Sequence, residues 1–563
     1  MGTNIVNKPI LRFKLYDQLQ VLRVPLKIEE LIPACHLVRI VNDCIEKLDM
    51  SCFEEYYITF GCPAFHPKMM IKVWIYAYCE RIYTSRRLCK AMRENINFIW
   101  LSGNQHPCFK TLCDFRSNKM ESMVDTVFKE VLLMLVELGY IDLDTLYIDG
   151  SKWEANANRY KVTYKKNTIR YKEQVLLRIN DYLQKIKQLQ NQEDATYGTK
   201  NLPETGESLE LNVVLNSEEV HQHLISLQDL VAQQSEDDRG KTASIRRLKT
   251  IEKTLSKEVE KVEKYERQEV VLGDRNSYSH TDPDATVLRM KREESLPAYN
   301  IQHSTNNQYI INYTVSQNSS DSPTLPEHLD KIEERLEGIR FSIAQKNPHS
   351  NVLIGINCVA DAGYGSEENY ADCQKRGIIA FIKYPLWYQE QTGELLKKKF
   401  NAYNWIYDES SDSYTCPNDR KVVFKENTTR TSINGYQRHI KLYQCETCDD
   451  CPFANDCKRT VDKPRTISFS PKGEVYKQQA KVLLDTPEGK EKRSQRSIEV
   501  ESAFGDIKFN MQYDRFILRG KQKVYIEYGI LSMAHNLRKV YCQQSGCWKE
   551  YYAQRVSKKD KKA

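Results

Sequence analysis

Residues 144–149 read DTLYID, and residues 351–361 read NVLIGINCVAD. Both stretches are short apolar runs, and each ends in an acid, Asp149 or Asp361. Apolar runs of this length between polar segments are typical of buried β-strands. A glycine follows each acid within two residues, so a bulky ligand could approach the backbone closely. We therefore predict a buried sheet that carries two carboxylates at strand ends, although an acid in this place can also simply cap the next turn.

The segments around these runs alternate between strand and helix patterns. Residues 299–316 predict a hairpin with an Asn-Asn turn, residues 329–344 a helix, residues 377–385 another strand, and the chain from residue 491 onward is helical in pattern. This order predicts an α/β fold. The domains we predict are a helical N-terminal domain at 1–140, a catalytic domain at 141–540, a helical hairpin inserted at 165–275, an irregular Cys-rich insertion at 400–470 and a basic tail at 541–563.

The predicted hairpin insertion has apolar residues at helical spacing in two charged segments. Val175, Ile179, Tyr182 and Ile186 repeat every three or four residues, and residues 245–262 show the same pattern. We expect two antiparallel helices, with the polar residues 191–241 between them. Nothing in this insertion indicates chemistry, so its predicted role is structural or dimerising.

Composition restricts the class of protein. The 563 residues include 83 basic and 76 acidic ones, and the net charge of +7 is too small to establish nucleic-acid binding by itself. No run of 18 apolar residues and no secretory signal is visible, which predicts a cytoplasmic protein without a membrane span. The 17 cysteines are mostly scattered singly, as reduced core cysteines would be.

A third acid is expected on a late helix. Residues 497–510 read SIEVESAFGDIKFN and offer Glu499 and Glu501. Glu501 and Lys508 are seven residues apart, so they share one face of a helix. Carboxylates that converge from separate elements suit Mg²⁺, which prefers oxygen ligands. The alternative is an ordinary surface ion pair between Glu501 and Lys508.

Five ordered passages resemble the DDE transposases of bacterial insertion sequences, and most closely the group called insertion sequence 1182. They span roughly residues 60 to 540 and are listed in chain order: HPKMMIKVWIYAYCERIYTSRRLCKAMRENINFIWLSG, YIDGSKWEANANRYK, TDPDATVLRMK with PAYNIQ, VADAGYGSEENY, and RSIEVESAFGDIKFNMQYDRFILRG with MAHNLRK. The resemblance assigns Asp149, Asp361 and Glu501 as the three catalytic acids. One departure concerns a tyrosine and an arginine that related transposases place seven and four residues before the glutamate, because Ser494 and Ser497 stand there instead.

The resemblance implies a ribonuclease-H-like fold, two Mg²⁺ or Mn²⁺ ions, and a homodimer that works on double-stranded DNA, both terminal inverted repeats and target DNA, in the bacterial nucleoid. Two-metal chemistry would let one ion activate the attacking oxygen and the other stabilise the leaving oxygen. Asp149 would bridge the ions, while Asp361 and Glu501 would each hold one. Lys508 favours Glu501 over Glu499, since Asp506 lies seven residues after Glu499.

A separate metal site is suggested by the cysteine spacing. Cys445, Cys448, Cys451 and Cys457 read C-x2-C-x2-C-x5-C, which suits structural Zn²⁺. An iron–sulfur cluster and a metal-free loop are the alternatives, and the upstream Cys416 could replace one ligand.

Basic side chains are the expected contacts to DNA phosphates. The candidates are Arg86, Arg87, Lys90, Lys152, Arg496, Lys508, Arg519 and Lys521. Trp153 and Trp387 could stack on a flipped base, but a buried tryptophan is the expectation for both. Two other functions stay open: a DNA-binding protein without catalysis, such as a domesticated or inactive transposase, and a nuclease of the same fold.

Overall fold

A computed structural model describes residues 27–49, 64–197, 216–237, 242–290, 293–346, 356–458, 460 and 463–551. One hydrophobic core joins the N-terminal helices to the central sheet and to the long C-terminal helix. Among the described residues, no helix has both the length and the apolar character needed to cross a membrane. Of the predicted basic tail, only residues up to 551 are described, and they are helical apart from a short break.

The N-terminal region is helical, as its pattern predicts. Its helices are α1 (Leu37–Glu46), α2 (Pro67–Cys79), α3 (Ser85–Glu94), α4 (Ile96–Leu101), α5 (Phe109–Ser117) and α6 (Val124–Glu137). Every residue of α2 except Lys68 is buried. Trp74 on this helix donates its indole N–H to Leu112 O at 3.1 Å, and the buried Arg116 lies over its ring. These contacts fix α2 as the central helix of the region.

In the described part of the chain, eight strands follow before the cysteine-rich insertion. They are β1 (Thr145–Glu154), β2 (Val162–Tyr164), β3 (Ser277–Ser279), β4 (Thr286–Arg289), β5 (Ser295–Asn306), β6 (Tyr309–Ser316), β7 (Asn357–Ala360) and β8 (Ile379–Ile382). The central sheet has the order β4-β5-β1-β7-β8, β6 also pairs with β5, and β2 pairs with β3 separately. β1 is antiparallel to β5 and parallel to β7, and β7 is parallel to β8. The sheet is mixed, which agrees with the predicted α/β class.

The hairpin of β5 and β6 differs from its prediction by one residue at the turn. Asn306 pairs with Tyr309, so the two-residue loop consists of Asn307 and Gln308 rather than of two asparagines. Both loop residues have positive φ, 52° and 64°. A two-residue turn with that geometry matches the twist of the strands it joins.

The remaining helices surround the sheet or belong to insertions. They are α7 (Lys165–Tyr197), α8 (Ser217–Asp237), α9 (Thr242–Leu272), α10 (Leu325–Lys346), α11 (Glu367–Lys375), α12 (Trp387–Gln391), α13 (Ala454–Cys457), α14 (Pro471–Asp485), α15 (Pro487–Gly505), α16 (Lys521–Ser545) and α17 (Trp548–Tyr551). A π-helical turn, Asp506–Asn510, continues α15. Short 3-10 turns precede α10 and α11.

The inserted hairpin has a third helix that sequence analysis missed. α7 and α9 run antiparallel, since Lys172 pairs with Glu269 and Arg178 pairs with Glu258. α8 lies in the segment predicted to be only polar, and it buries Val220 and Leu224 in the core of the insertion. Val220, Leu224, Leu227 and Val231 do repeat at helical spacing, so the prediction of a wholly polar segment overlooked this pattern.

The cysteine-rich insertion is a sheet, whereas an irregular segment was predicted. Its strands are β9 (Ile406–Asp408), β10 (Ser413–Thr415), β11 (Lys421–Thr431), β12 (Gln437–Cys445) and β13 (Thr466–Phe469). They pair antiparallel in the order β13-β12-β11-β10-β9. Most side chains of β11 are exposed. Strands that are exposed on both faces lack the apolar–polar alternation on which prediction depends.

The alternation of β1 positions the site. Its odd-numbered side chains face α15 and the turn after it, as shown by the contacts Thr145–Lys492, Tyr147–Gln495, Asp149–Arg496 and Ser151–Lys508. Its even-numbered residues Leu146 and Ile148 pack into the main core. Successive side chains of a strand point to opposite faces, so Asp149 necessarily points toward α15.

Candidate active site

Asp149 and Asp361 meet on two neighbouring parallel strands, but Asp149 lies in the middle of β1 rather than at its end as predicted, because β1 continues to pair with β5 as far as Glu154. Asp149 lies on β1 and Asp361 directly follows β7, and these strands pair in register from Thr145↔Asn357 to Tyr147↔Val359. Nη2 of Arg496, on α15, lies 3.3 Å from Oδ1 of Asp149 and 3.3 Å from Oδ2 of Asp361. The structure therefore brings together two of the three predicted acids, with one cationic group between them.

The surroundings of Asp149 favour a bound cation. Burial raises the pKa of Asp149 to about 6; the Arg496 guanidinium opposes this shift, and the charges of Asp361 and Asp321 reinforce it. The backbone N–H of Gly150 donates to Oδ1 of Asp149 at 2.9 Å. Asp361 accepts the N–H of Gly363 at 2.8 Å and so also caps the 3-10 turn that follows it. A carboxylate that is desolvated beside other acids is stabilised by a positive charge.

Asp321 is a further acid at this site, and sequence analysis missed it. Its Oδ1 accepts hydrogen bonds from Asn300 at 2.7 Å and from Gln302 at 3.0 Å. A Cβ atom on Gly150 would lie only 2.5 Å from that oxygen, so the missing side chain lets Asp321 approach β1. Asp321 stands in the polar stretch SQNSSDSPT, where no strand pattern marks it, and its place is visible only after folding.

Glu501 does not join the aspartates in this structure. It is exposed on α15, five residues after Arg496, and so lies about 7.5 Å further along the helix axis. Within the described residues, neither aspartate has a hydrogen bond or ion pair with Glu501, and no group of three or more His, Cys, Asp or Glu side chains could hold a metal ion. The predicted three-acid arrangement is therefore present only as its aspartate pair.

Glu499, the alternative glutamate, has a structural contact. Its Oε2 accepts the backbone N–H of Gln308 at 2.6 Å, at the turn between β5 and β6. Burial raises its pKa. Because Glu499 is occupied by this turn, Glu501 is the residue of the two that has an exposed carboxylate.

Lys508 lies against β1. Its Nζ donates to the hydroxyl of Ser151 at 2.6 Å and stands 4.5 Å from the centre of the Trp153 ring. The π-helical turn that contains Lys508 changes the helical register, so the seven-residue spacing from Glu501 does not give two regular turns. Trp153 is fully buried, as expected for a core residue.

The other basic residues predicted to contact DNA mostly have partners on the protein. Arg86 lies over the ring of Phe109, Lys90 pairs with Glu94, Lys152 donates to Arg289 O, Arg519 donates to Asn156 O, and Lys521 pairs with Glu327. Arg87 is exposed at the start of α3. Arg496 forms ion pairs with Asp149 and Asp361, so its partners in this structure are carboxylates.

The cysteines of the insertion lie near one another. Within the described residues, however, no three of them are placed so that they could hold a metal ion. The backbone N–H of Arg465 donates to Sγ of Cys448 at 3.3 Å. Burial, with a hydrogen bond to Cys448, raises the pKa of Cys445 to about 12, and the neighbouring Cys416 adds to the shift. Burial also raises the pKa of Cys457, to which Cys416, Cys448 and Cys451 contribute. Cys416 is thus part of the cluster.

Two models of known protein families match parts of this chain. A family model described as "Transposase DDE domain" matches residues 415–541, and a model described as "Transposase domain (DUF772)" matches residues 26–118. The first range includes the cysteine cluster and Glu501; neither range includes Asp149 or Asp361. No match was found among curated proteins or among solved structures. The two family matches support a transposase of the DDE type, a DNA-processing enzyme.

Proposed function

We propose that this protein is a DDE transposase that cleaves and joins DNA at the ends of an insertion sequence. The observation that carries the proposal is the pair formed by Asp149, in β1, and Asp361, directly after β7, with Arg496 held between them. By the resemblance stated above, the chain would act as a homodimer on terminal inverted repeats and target DNA. The membership of the insertion sequence 1182 group rests on the quoted passages alone.

The topology supports a ribonuclease-H-like catalytic domain. An antiparallel hairpin, β5 and β6, lies on one side of β1, and the parallel strands β7 and β8 lie on the other. The first aspartate is on the central strand, the second follows its parallel neighbour, and the glutamate is on the later helix α15. This arrangement is the one that the resemblance implies.

The donor set fits divalent metal ions of the Mg²⁺ type. Asp149 and Asp361 already hold one cationic group, and carboxylate oxygens are the ligands that Mg²⁺ and Mn²⁺ prefer. When bound, two such ions supply activation of the attacking oxygen and stabilisation of the leaving oxygen. Asp149 and Asp361 would hold them on the sheet side, and Glu501 would complete the set after its side chain moves toward the pair.

Arg496 has a role of its own in this proposal. Its guanidinium neutralises the aspartates in the structure described here, and it must leave them when a metal ion takes its place. A released guanidinium beside the site can bind a phosphate oxygen of the DNA. Arg496 would therefore exchange one anion for another and would position the phosphate next to the acids.

Asp149→Asn and Asp361→Asn test the proposal. Each variant should lose at least roughly 100-fold in Mg²⁺- or Mn²⁺-dependent cleavage of a duplex that carries the DNA flanking the coding region, because the acids are the proposed ligands. DNA binding measured by fluorescence anisotropy should be retained. Asp274→Asn, at an exposed position, is the control and should cleave normally. Cleavage by Asp149→Asn at the wild-type rate would refute the assignment.

A second measurement separates the alternative functions. The wild-type protein should join a pre-cut end with a free 3′-hydroxyl to target DNA in Mg²⁺. A nuclease of the same fold would cleave without joining, and an inactive transposase would bind DNA without doing either. Joined product is therefore the outcome that distinguishes a transposase.

We also propose structural Zn²⁺ at Cys445, Cys448, Cys451 and Cys457, with Cys416 available in place of one of them. The support is the cysteine spacing and the mutual proximity of the five thiols. Elemental analysis of the purified protein should find about one zinc per chain, and less in Cys448→Ser. A metal-free wild-type protein would refute this site.

A further inference from the structure

The cysteine-rich sheet extends a two-stranded ribbon away from its other strands. The ribbon consists of β11, β12 and the turn between them, residues 421–445. β10 pairs only with Lys421–Val423, and β13 pairs only with Lys441–Gln444. The distal part of the ribbon, residues 426–440, therefore pairs only with itself. An isolated two-stranded ribbon has little stability in water, so a contact elsewhere must hold it.

The tip of the ribbon is held by Glu367, in the segment that follows Asp361. We define the ribbon tip as residues 430–438. Tyr436 donates its hydroxyl to Oε1 of Glu367 at 3.0 Å, and Nε of Arg438 donates to Oε2 of Glu367 at 2.9 Å. Glu367 is buried at the start of α11, six residues after Asp361. The ribbon is thus fastened to the element that follows the second aspartate.

A second contact places the ribbon tip beside Asp321. The side-chain amide of Asn434 donates to Pro323 O at 3.1 Å. Pro323 lies two residues after Asp321, in the turn that begins α10. The tip therefore touches both loops that carry acids around Asp149, although the ribbon belongs to a different sheet.

The ribbon has more basic than acidic side chains, and two of the basic ones have acidic partners outside it, since Arg438 pairs with Glu367 and Lys441 with Asp412. Residues 421–445 contain five Lys or Arg residues and a single acid, Glu426. Arg430 and Arg438 are directly opposite each other in the strand register, and like charges in that position repel. Arg438 has Glu367 as a partner, whereas Arg430 is exposed and has no hydrogen bond or ion pair within the described part of the chain.

The turn at the end of the tip presents an apolar side chain to solvent. Ile433 is 68% exposed and stands next to Asn434. An exposed isoleucine three residues from the exposed Arg430 suits a groove of duplex DNA, where apolar side chains contact sugars and base edges while Arg and Lys neutralise phosphates.

We propose that the ribbon tip is a DNA-binding arm that holds the duplex beside the aspartate pair. This inference rests on the proposed function and adds a contact surface to it. Arg430 binds a backbone phosphate, which also relieves its repulsion with Arg438, and Ile433 lies in the adjacent groove. The fastening through Glu367 keeps this contact at a fixed distance from Asp361, so the arm sets which phosphate reaches the acids.

Salt-dependent binding tests the arm. Affinity of the full-length protein for the flanking duplex is measured by fluorescence anisotropy over a range of salt concentrations. Arg430→Gln should bind more weakly, and the slope of log affinity against log salt should fall by about 1, as expected for one lost phosphate contact. Lys187→Gln, an exposed change of equal charge on α7, should keep the wild-type slope. Arg430 is exposed, so unfolding curves of this variant should match the wild type.

Photo-cross-linking locates the contact. A benzophenone amino acid at Ile433 should cross-link to DNA close to the cleaved end, whereas the same group at Val270, an 83% exposed position on α9, should not. If wild type and Arg430→Gln bind with equal affinity and slope, and position 433 cross-links no more than position 270, the arm is refuted and the transposase proposal stands. If the wild-type protein binds no duplex at all, both proposals fail.

Discussion

Two regions supply the acids of the proposed site, and they differ in how firmly they hold them. Asp149 and Asp361 are placed by paired strands, and each carboxylate accepts a backbone N–H from a residue one or two positions later in the chain. Glu501 is an exposed residue of α15 and has no such fixation. Arg496, on the same helix, does reach the aspartates. The strands therefore hold the two aspartates in place. On α15, Glu501 stays away from these aspartates, whereas Arg496 contacts them.

The largest expected effect is a loss of cleavage activity, and it distinguishes the two glutamates of α15. Glu501→Ala should lower metal-dependent cleavage at least roughly 100-fold, because it removes a proposed metal ligand. Its unfolding free energy should change by less than about 0.5 kcal/mol, since the side chain is exposed. Activity assays and urea unfolding measure the two quantities.

Glu499→Ala is the matched control and should behave in the opposite way. It leaves the N–H of Gln308 without its acceptor, which costs about 1–3 kcal/mol of unfolding free energy. Its cleavage activity should stay close to wild type at temperatures where it is folded. Loss of activity in Glu499→Ala with normal activity in Glu501→Ala would exchange the roles of the two residues.

The difference between the regions also explains what could be predicted from sequence. Asp149 and Asp361 each end an apolar run, and this local pattern correctly predicted a strand before each acid; it placed the end of β1 five residues too early, because residues 150–154, most of them polar, continue the strand. Asp321 and Glu367 lie in polar stretches, and only the pairing of distant segments brings them to the site. The ion pairs of Arg496 were unpredictable for the same reason, because they depend on how α15 lies across β1.

The insertions show the same limit. The apolar spacing of α7 and α9 was sufficient to predict both helices, whereas the same spacing in α8 was overlooked because residues 191–241 are mostly polar. β11 and β12 are rich in exposed polar residues, so no alternation marked them as strands. Their order became visible through backbone pairing, which sequence periodicity does not report.

A smaller effect tests how tightly the strand region is built. Gly150→Ala would place a Cβ 2.5 Å from Oδ1 of Asp321 and 2.6 Å from Nε2 of Gln302, so these groups must shift. Overpacking of this kind costs about 1–3 kcal/mol, which urea unfolding would detect. Gly505→Ala on α15 has open space around it and should be neutral or stabilising by up to about 1 kcal/mol.

A double variant shows whether Asp321 causes that cost. Asp321→Ala removes the oxygen that the new Cβ would meet, so Gly150→Ala should be less destabilising in the Asp321→Ala background than in the wild type. Equal costs in both backgrounds would mean that Asp321 does not press against β1. The strand region would then be less tightly packed than its distances indicate.

The smallest expected effect concerns how the free energy of unfolding depends on pH, which reports whether water reaches the buried histidines beside the strands. His303 pairs in register with Asp149 and stacks on Phe504, and burial lowers its pKa well below the usual value. Burial likewise lowers the pKa of His328 to about 3. Below about pH 6.5 the unfolded chain protonates these histidines and the folded chain does not, so the unfolded state binds more protons and stability falls as pH falls.

Each buried histidine should contribute a loss of up to about 1.4 kcal/mol per pH unit between its unfolded and folded pKa values. In His328→Gln the dependence of unfolding free energy on pH between 6 and 5 should be shallower by about that amount, whatever its stability at pH 7. His280→Gln, at an exposed position, should keep the wild-type dependence. An unchanged slope in His328→Gln would mean that water reaches this core. The strands would then exclude water from Asp149, and fix its position, no better than α15 does for Glu501.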